Sequence, residues 1–258
     1  MEPSKTALMV IDMQNFFLSP ALGRKRGPGH DALKQLEQRA IPAARKAGIQ
    51  VVWLNWGLTE DDIVNMPPAI KRVFGDPGVP VEARAGLAGF GADLSPKGGI
   101  AKDKRLYCGL GTDMGQVEVD GRNVDAGKIL MRDQWNSALF PPLDRLYEEG
   151  RTLARKPDVW MHKDRMSGMW GATTMCQSYL EQQGLKTLLF AGVNTDQCVA
   201  GTLTDSTAKG FDCILLSDGC GTTSPSFAKE CVEYNSTKSW GFVSDCESLA
   251  KSVARPAR

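Results

Sequence analysis

The stretch Leu189-Phe190-Ala191-Gly192-Val193-Asn194-Thr195-Asp196-Gln197-Cys198-Val199 decides how this chain is read. Its apolar half reads as a buried strand ending at Gly192, and a tight polar turn follows. Cys198 then stands where the next helix opens, with Ala200, Leu203 and Ala208 on the apolar side of that helix. A thiol at a helix N-terminus feels the positive end of the helix dipole, which favours thiolate. Backbone N–H groups of the same turn are placed to hold a developing oxyanion. Strand, sharp turn and nucleophile together form an elbow that presents the thiol at the strand end. Cysteine is also among the most buried residue types, and inert packing is its common use. Two further segments therefore bear on the reading.

The first is Thr6-Ala7-Leu8-Met9-Val10-Ile11-Asp12-Met13-Gln14-Asn15, an apolar strand ending in an acid. In an open parallel sheet ligands bind outside the carboxyl ends of the strands, which puts Asp12 at the active edge. The competing role for Asp12 is to cap the following turn. The second is Val159-Trp160-Met161-His162-Lys163, another short apolar run, ending in a basic residue. Most lysines are solvated. One at a strand end beside an acid and a thiol would pair with Asp12 and help keep Cys198 deprotonated.

These segments resemble the isochorismatase-like cysteine hydrolase superfamily. The resemblance is carried by D-x-Q-N at Asp12-Met13-Gln14-Asn15, by Lys163 with Ser167-Gly168-Met169-Trp170 after it, and by G-V-x-T-x-x-C-V from Gly192 to Val199. It covers residues 6–56 and 150–245 and is weak between about 58 and 140. It implies a three-layer α/β/α fold with a six-stranded parallel sheet of order 3-2-1-4-5-6. It implies Cys198 as nucleophile, Asp12 as general base and acid, and Lys163 as electrostatic partner of both. It further implies a cis peptide between Val193 and Asn194, with the N–H groups of Asn194 and Cys198 as the oxyanion hole. The family follows D-x-Q-N with an acid and Phe; here Phe16-Phe17 stand instead. That exchange leaves Asp12, Gln14 and Asn15 in place and alters the pocket floor.

The chemistry is coherent on its own terms. An amide carbonyl is a poor electrophile and calls for both a strong nucleophile and a prepared oxyanion site. A carboxylate that takes the thiol proton returns it to the leaving amine. No histidine is required, and the chain has two.

With 258 residues, 42% hydrophobic and 24% charged, the chain reads as one α/β domain over 1–258. Residues 58–140 are read as a long insertion within it, after strand two. The formal net charge of +1 and the short Arg24-Lys25-Arg26 cluster do not point to nucleic acid. No apolar run approaches the ~20 residues of a membrane span. Met1 to Lys5 lead straight into the first strand, so no signal peptide is expected, and seven scattered cysteines without C-x-x-C fit reduced cytoplasmic thiols.

The spacing predicts strands near 6–12, 49–55, 187–191, 211–216 and 240–243. It predicts helices near 31–47 with Asp31 as N-cap, 170–183 closed by Gly184, from Cys198 to Gly210, and after Pro225. Alternation of the two implies a parallel sheet covered on both faces. The insertion breaks this rhythm at Gly75-Asp76-Pro77-Gly78, Gly98-Gly99 and Gly109-Leu110-Gly111, and a hairpin is expected around Gln116–Met131. It reads as an arm shaping the pocket or a subunit contact, or as decoration.

Asn15, Phe16, Asn55, Trp56 and Trp170 are the candidate pocket residues; each fits core packing equally well. Nicotinamidases, the metal-binding relatives, place an Asp and paired histidines after their second strand. Here Trp53-Leu54-Asn55-Trp56-Gly57-Leu58 has no histidine, so no metal or other cofactor is expected. His162 points away from Lys163 along the strand and is assigned a structural role. Three functions remain: cysteine amidohydrolysis of a small linear amide, ureido or carbamoyl compound, favoured here; vinyl-ether hydrolysis, which needs the acid and not the thiol; and a non-catalytic interaction protein. The resemblance also implies a homo-oligomer, dimer or tetramer.

Overall fold

The computed structural model describes residues 1–74 and 109–254. The turns at Gly75–Gly78 and Gly98-Gly99 lie outside them. The chain divides into two compact units, Met1–Met13 with Gly27–Asn55 and Pro141–Arg258, and Gln14–Arg26 with Trp56–Phe140.

The first unit is built on a parallel sheet of β1 (Thr6–Ile11), β2 (Gln50–Trp56), β3 (Val159–Lys163), β4 (Thr187–Val193), β5 (Asp212–Gly221) and β6 (Phe242–Ser244). The order across it is β3-β2-β1-β4-β5-β6. Every residue of β1 is buried, as a central strand covered on both faces requires. Its registers pair Ile11 with Leu54 of β2 on one side and with Gly192 of β4 on the other. The helices are α1 (Pro28–Gln35), α2 (Ile41–Ala47), α3 (Leu143–Gly150), α4 (Met175–Gln182), α5 (Ala200–Ala208), α6 (Ser226–Asn235) and α7 (Cys246–Ala254).

Several boundaries differ from expectation for local reasons. Helix α1 starts at Pro28, ahead of Asp31, because a proline without an N–H and with fixed φ suits the first helical position. Asp31 falls in the first turn, where its charge meets the helix dipole. A wide turn at Leu36–Ala40 carries α1 into α2, which ends at Gly48 in left-handed backbone. Helix α4 begins later than 170, because the Thr174 side chain accepts from the Gln177 N–H and sets the start. Strand β5 runs through Asp218, whose Oδ1 accepts the Cys246 N–H at 2.7 Å at the start of α7. Helices α3 and α7 have no counterpart in the sequence expectations.

At the amino ends of the strands a second set of polar groups is buried. Arg45 Nη2 lies 2.6 Å from Asp158 Oδ2 and donates to the Leu146 carbonyl at 2.5 Å. Trp53 Nε1 donates to the same carboxylate oxygen at 2.9 Å. One carboxylate thereby ties α2 and β2 to the residue that precedes β3.

In the second unit, a hairpin joins Gln116–Val119 to Arg122–Asp125. Asp120 and Gly121 both have positive φ, the backbone of a tight I′ turn. Asn136 fixes the neighbouring loop, accepting from the Leu130 N–H and donating to the Ala126 and Lys128 carbonyls. No helix among the described residues is long and apolar enough to cross a membrane.

Candidate active site

Three strand ends of the first unit supply the site. Asp12 follows β1, and its N–H donates to the Leu54 carbonyl at 3.1 Å. Its φ of 52° is left-handed backbone, sparsely populated for a residue with a side chain, so the chain turns sharply there. Lys163 ends β3, on the far side of β2 from β1. Neighbouring strands stand about 4.8 Å apart, so a side chain crossing β2 must span about 10 Å. The lysine side chain, the Asp12 side chain that meets it and the contact between them together cover that span. Its Nζ lies 2.9 Å from Asp12 Oδ2, with both side chains almost wholly out of solvent, and donates to the Arg165 carbonyl at 3.0 Å. Two charges removed from water this completely persist where attraction and hydrogen bonds offset the lost hydration.

The third strand end is β4, next to β1. Gly192 has φ of 122°, and a Cβ there would collide with the Ile11 carbonyl. Glycine lets β4 press against β1 where Asp12 leaves it. The Val193–Asn194 peptide is cis. The chain then enters a wide helical turn, Thr195–Val199, closed by the Val199 N–H on the Asn194 carbonyl at 3.2 Å, before α5. Cys198 therefore sits within the first helical turn, not on its opening residue, and is buried. Wide turns of this kind concentrate at functional sites.

Thr202 is the site residue that sequence reasoning missed. Its Oγ1 donates to the Cys198 carbonyl at 2.7 Å and accepts the Gly168 N–H at 3.2 Å. One hydroxyl thus ties the helical turn carrying Cys198 to the loop that follows Lys163. The available signal was a threonine four residues beyond Cys198 on the apolar side of α5.

The other thiols differ in setting. Burial pushes Cys176 and Cys220 up to about 12 and Cys213 up to about 11. Burial, with Asp218 beside it, pushes Cys246 up as well. Cys231 is exposed.

The candidate pocket residues fall in both units. Asn55 is fully buried at the end of β2. Trp170 is half exposed (51%), its Nε1 donating to Asp164 and its face under the Arg165 guanidinium at 4.6 Å. Asn15, Phe16 and Trp56 belong to the second unit. There Asn15 donates to the Trp135 carbonyl, while Phe16 and Trp56 each pack against Phe74. His162 accepts from Trp160 Nε1 at 3.2 Å and His30 accepts the Gly27 N–H at 3.3 Å. Among the described residues, no group of three or more His, Cys, Asp or Glu side chains is placed to hold a metal ion.

Comparison with known proteins matches residues 119–237 to the isochorismatase domain model. The matched residues include Lys163 and Cys198; Asp12 lies before them. The chain is 28% identical to the ureidoacrylate amidohydrolase RutB of Serratia proteamaculans (strain 568), over 98% of this chain and 85% of that one. An isochorismatase family protein from Desulfovibrio vulgaris subsp. vulgaris str. Hildenborough shares the fold, with TM-score 0.61 and 18% identity over 97% of this chain and 99% of that one. N-carbamoylsarcosine amidase from Thermoplasma acidophilum does so too, with TM-score 0.57 and 19% identity over 94% and 97%.

Proposed function

We propose that the chain is a cysteine amidohydrolase that cleaves a C–N bond of a small linear amide, ureido or carbamoyl compound. The observation that carries this reading is the buried Asp12–Lys163 pair, 2.9 Å apart, at the strand edge where β4 delivers the turn bearing Cys198. The likeness to a ureidoacrylate amidohydrolase along nearly the whole chain supports it.

In the proposed reaction, Asp12 takes the Cys198 proton and the thiolate sulfur attacks the substrate carbonyl carbon. The tetrahedral oxyanion is held by the N–H groups of Asn194 and Cys198. Asp12 gives its proton to the leaving nitrogen as the C–N bond breaks, leaving a thioester on Cys198. Water, deprotonated by the same carboxylate, attacks the thioester and returns the thiol. Lys163 holds the Asp12 carboxylate in place and stabilises its charge between proton transfers.

The test is ammonia release from ureido acids, carbamoyl amino acids and nicotinamide by wild type and Cys198→Ala. Turnover lost in the variant supports the reading. Turnover retained by Cys198→Ala overturns it in favour of chemistry, such as vinyl-ether hydrolysis, that does not use the thiol.

A further inference from the structure

Asn55 lies one step beyond the Leu54–Ile11 register pair, so its backbone stands beside that of Asp12. It is 0% exposed, and among the described residues neither Oδ1 nor Nδ2 has a hydrogen-bond partner. On the other side of β1, the turn after β4 carries Thr195, also fully buried, its hydroxyl without a partner among the described residues. Unpaired polar groups are strongly disfavoured in a core, and leucine offers the same branched side-chain skeleton as asparagine without that penalty. An amide kept in this state on the strand position next to Asp12 is ready for a partner that arrives with the substrate.

We infer that Asn55 is a specificity-determining residue that reads a ureido or carbamoyl group, Oδ1 accepting from the substrate's terminal NH2 and Nδ2 donating to a substrate oxygen. The inference rests on the amidohydrolase reading above. A carboxamide presents a donor and an acceptor side by side, so its complement carries the same pair. The group –NH–CO–NH2 presents that pair along one edge. An acetamido group puts a methyl where the NH2 stands and leaves the Asn55 acceptor unpaired. Buried sites reject such analogues strongly, because the enzyme's own polar group is then stranded.

The experiment compares 3-ureidoacrylate with 3-acetamidoacrylate, which share the scissile bond and differ by NH2 against CH3. Wild type, Cys198→Ala and Asn55→Leu are assayed on both. The expected result is a wild-type kcat/KM preference for the ureido compound of about tenfold or more. That turnover depends on Cys198, and the ratio falls to within about threefold of one in Asn55→Leu. Asn55→Leu also melts above wild type, because the ligand-free protein loses an unpaired buried amide. Equal loss on both compounds with a lower melting temperature overturns the inference and makes Asn55 a structural group paired to water. Cys198-dependent turnover with an unchanged ratio overturns the inference alone. Absence of Cys198-dependent turnover of either compound by folded protein removes the amidohydrolase reading for this substrate class and the inference with it.

Discussion

The first unit buries two ion pairs, one at each end of its sheet, and they are built for different ends. At the amino edge, Asp158 collects donors from Arg45 and from Trp53 Nε1, and Arg45 also reaches the Leu146 carbonyl. This pair fastens helix to sheet. At the carboxyl edge, Asp12 and Lys163 pair on the edge that carries the Cys198 turn, and the Asn55 amide on the neighbouring strand has no partner among the described residues. The same interaction thus serves cohesion where hydrogen bonds converge on it and, in the proposed function, chemistry at the edge that carries the Cys198 turn. The direction of the strands decides which edge is which, because sharp turns into helices follow the carboxyl ends.

That contrast is open to attack from both sides. The largest expected effect is on Cys198→Ala, which lowers turnover by about 10⁴-fold or more while circular dichroism and melting stay near wild type. Retained activity would merge the two edges into one structural class. Arg45→Met should do the reverse. It strands a buried carboxylate and costs about 3 kcal/mol, a fall of roughly 10 °C in melting temperature for a chain of this size, with kcat at 25 °C within about twofold of wild type. A loss of activity in the folded variant would show that the amino edge also tunes the site.

A smaller effect is expected at Thr202. Thr202→Val removes the hydroxyl between Cys198 and Gly168 and should lower kcat about tenfold with little change in KM, and Thr202→Ser should restore it. Equal loss in both variants would point to packing instead of the hydrogen bonds. The smallest effect concerns pH and the thiols outside the site. The folded protein holds protons on Cys176, Cys213 and Cys220 that the unfolded chain releases once pH passes the ordinary thiol value of about 8.5. The folded state then binds more protons than the unfolded state, so stability is full below that pH and declines as pH rises toward about 11 and 12. Urea midpoints at pH 8 and pH 10 should differ in that direction, and the difference should shrink in Cys220→Ala.

Much of this was legible in the sequence for one physical reason. In a parallel sheet the strands are largely continuous apolar runs, and the polar residues that end each run mark the carboxyl edge; Asp12, Lys163 and the turn before Cys198 are such residues. Less legible were features set by packing between distant segments. The Arg45–Asp158 pair joins residues 113 apart in sequence. The start of α1 at Pro28 depends in part on Gly221, where any side chain would collide with the Pro28–Gly29 backbone. Asn55 could be placed at a strand end from the pattern, but that its amide goes unpaired shows only in three dimensions.

The most direct test of the central claim is the acyl-enzyme itself. Wild type turning over an amide or ureido substrate, quenched in acid and measured by intact mass and peptide mapping, should carry the substrate's acyl mass on the peptide containing Cys198, and Cys198→Ala should carry none. Rapid turnover with no adduct on that peptide, undiminished in Cys198→Ala, would contradict the assignment of the carboxyl edge as a cysteine hydrolase site.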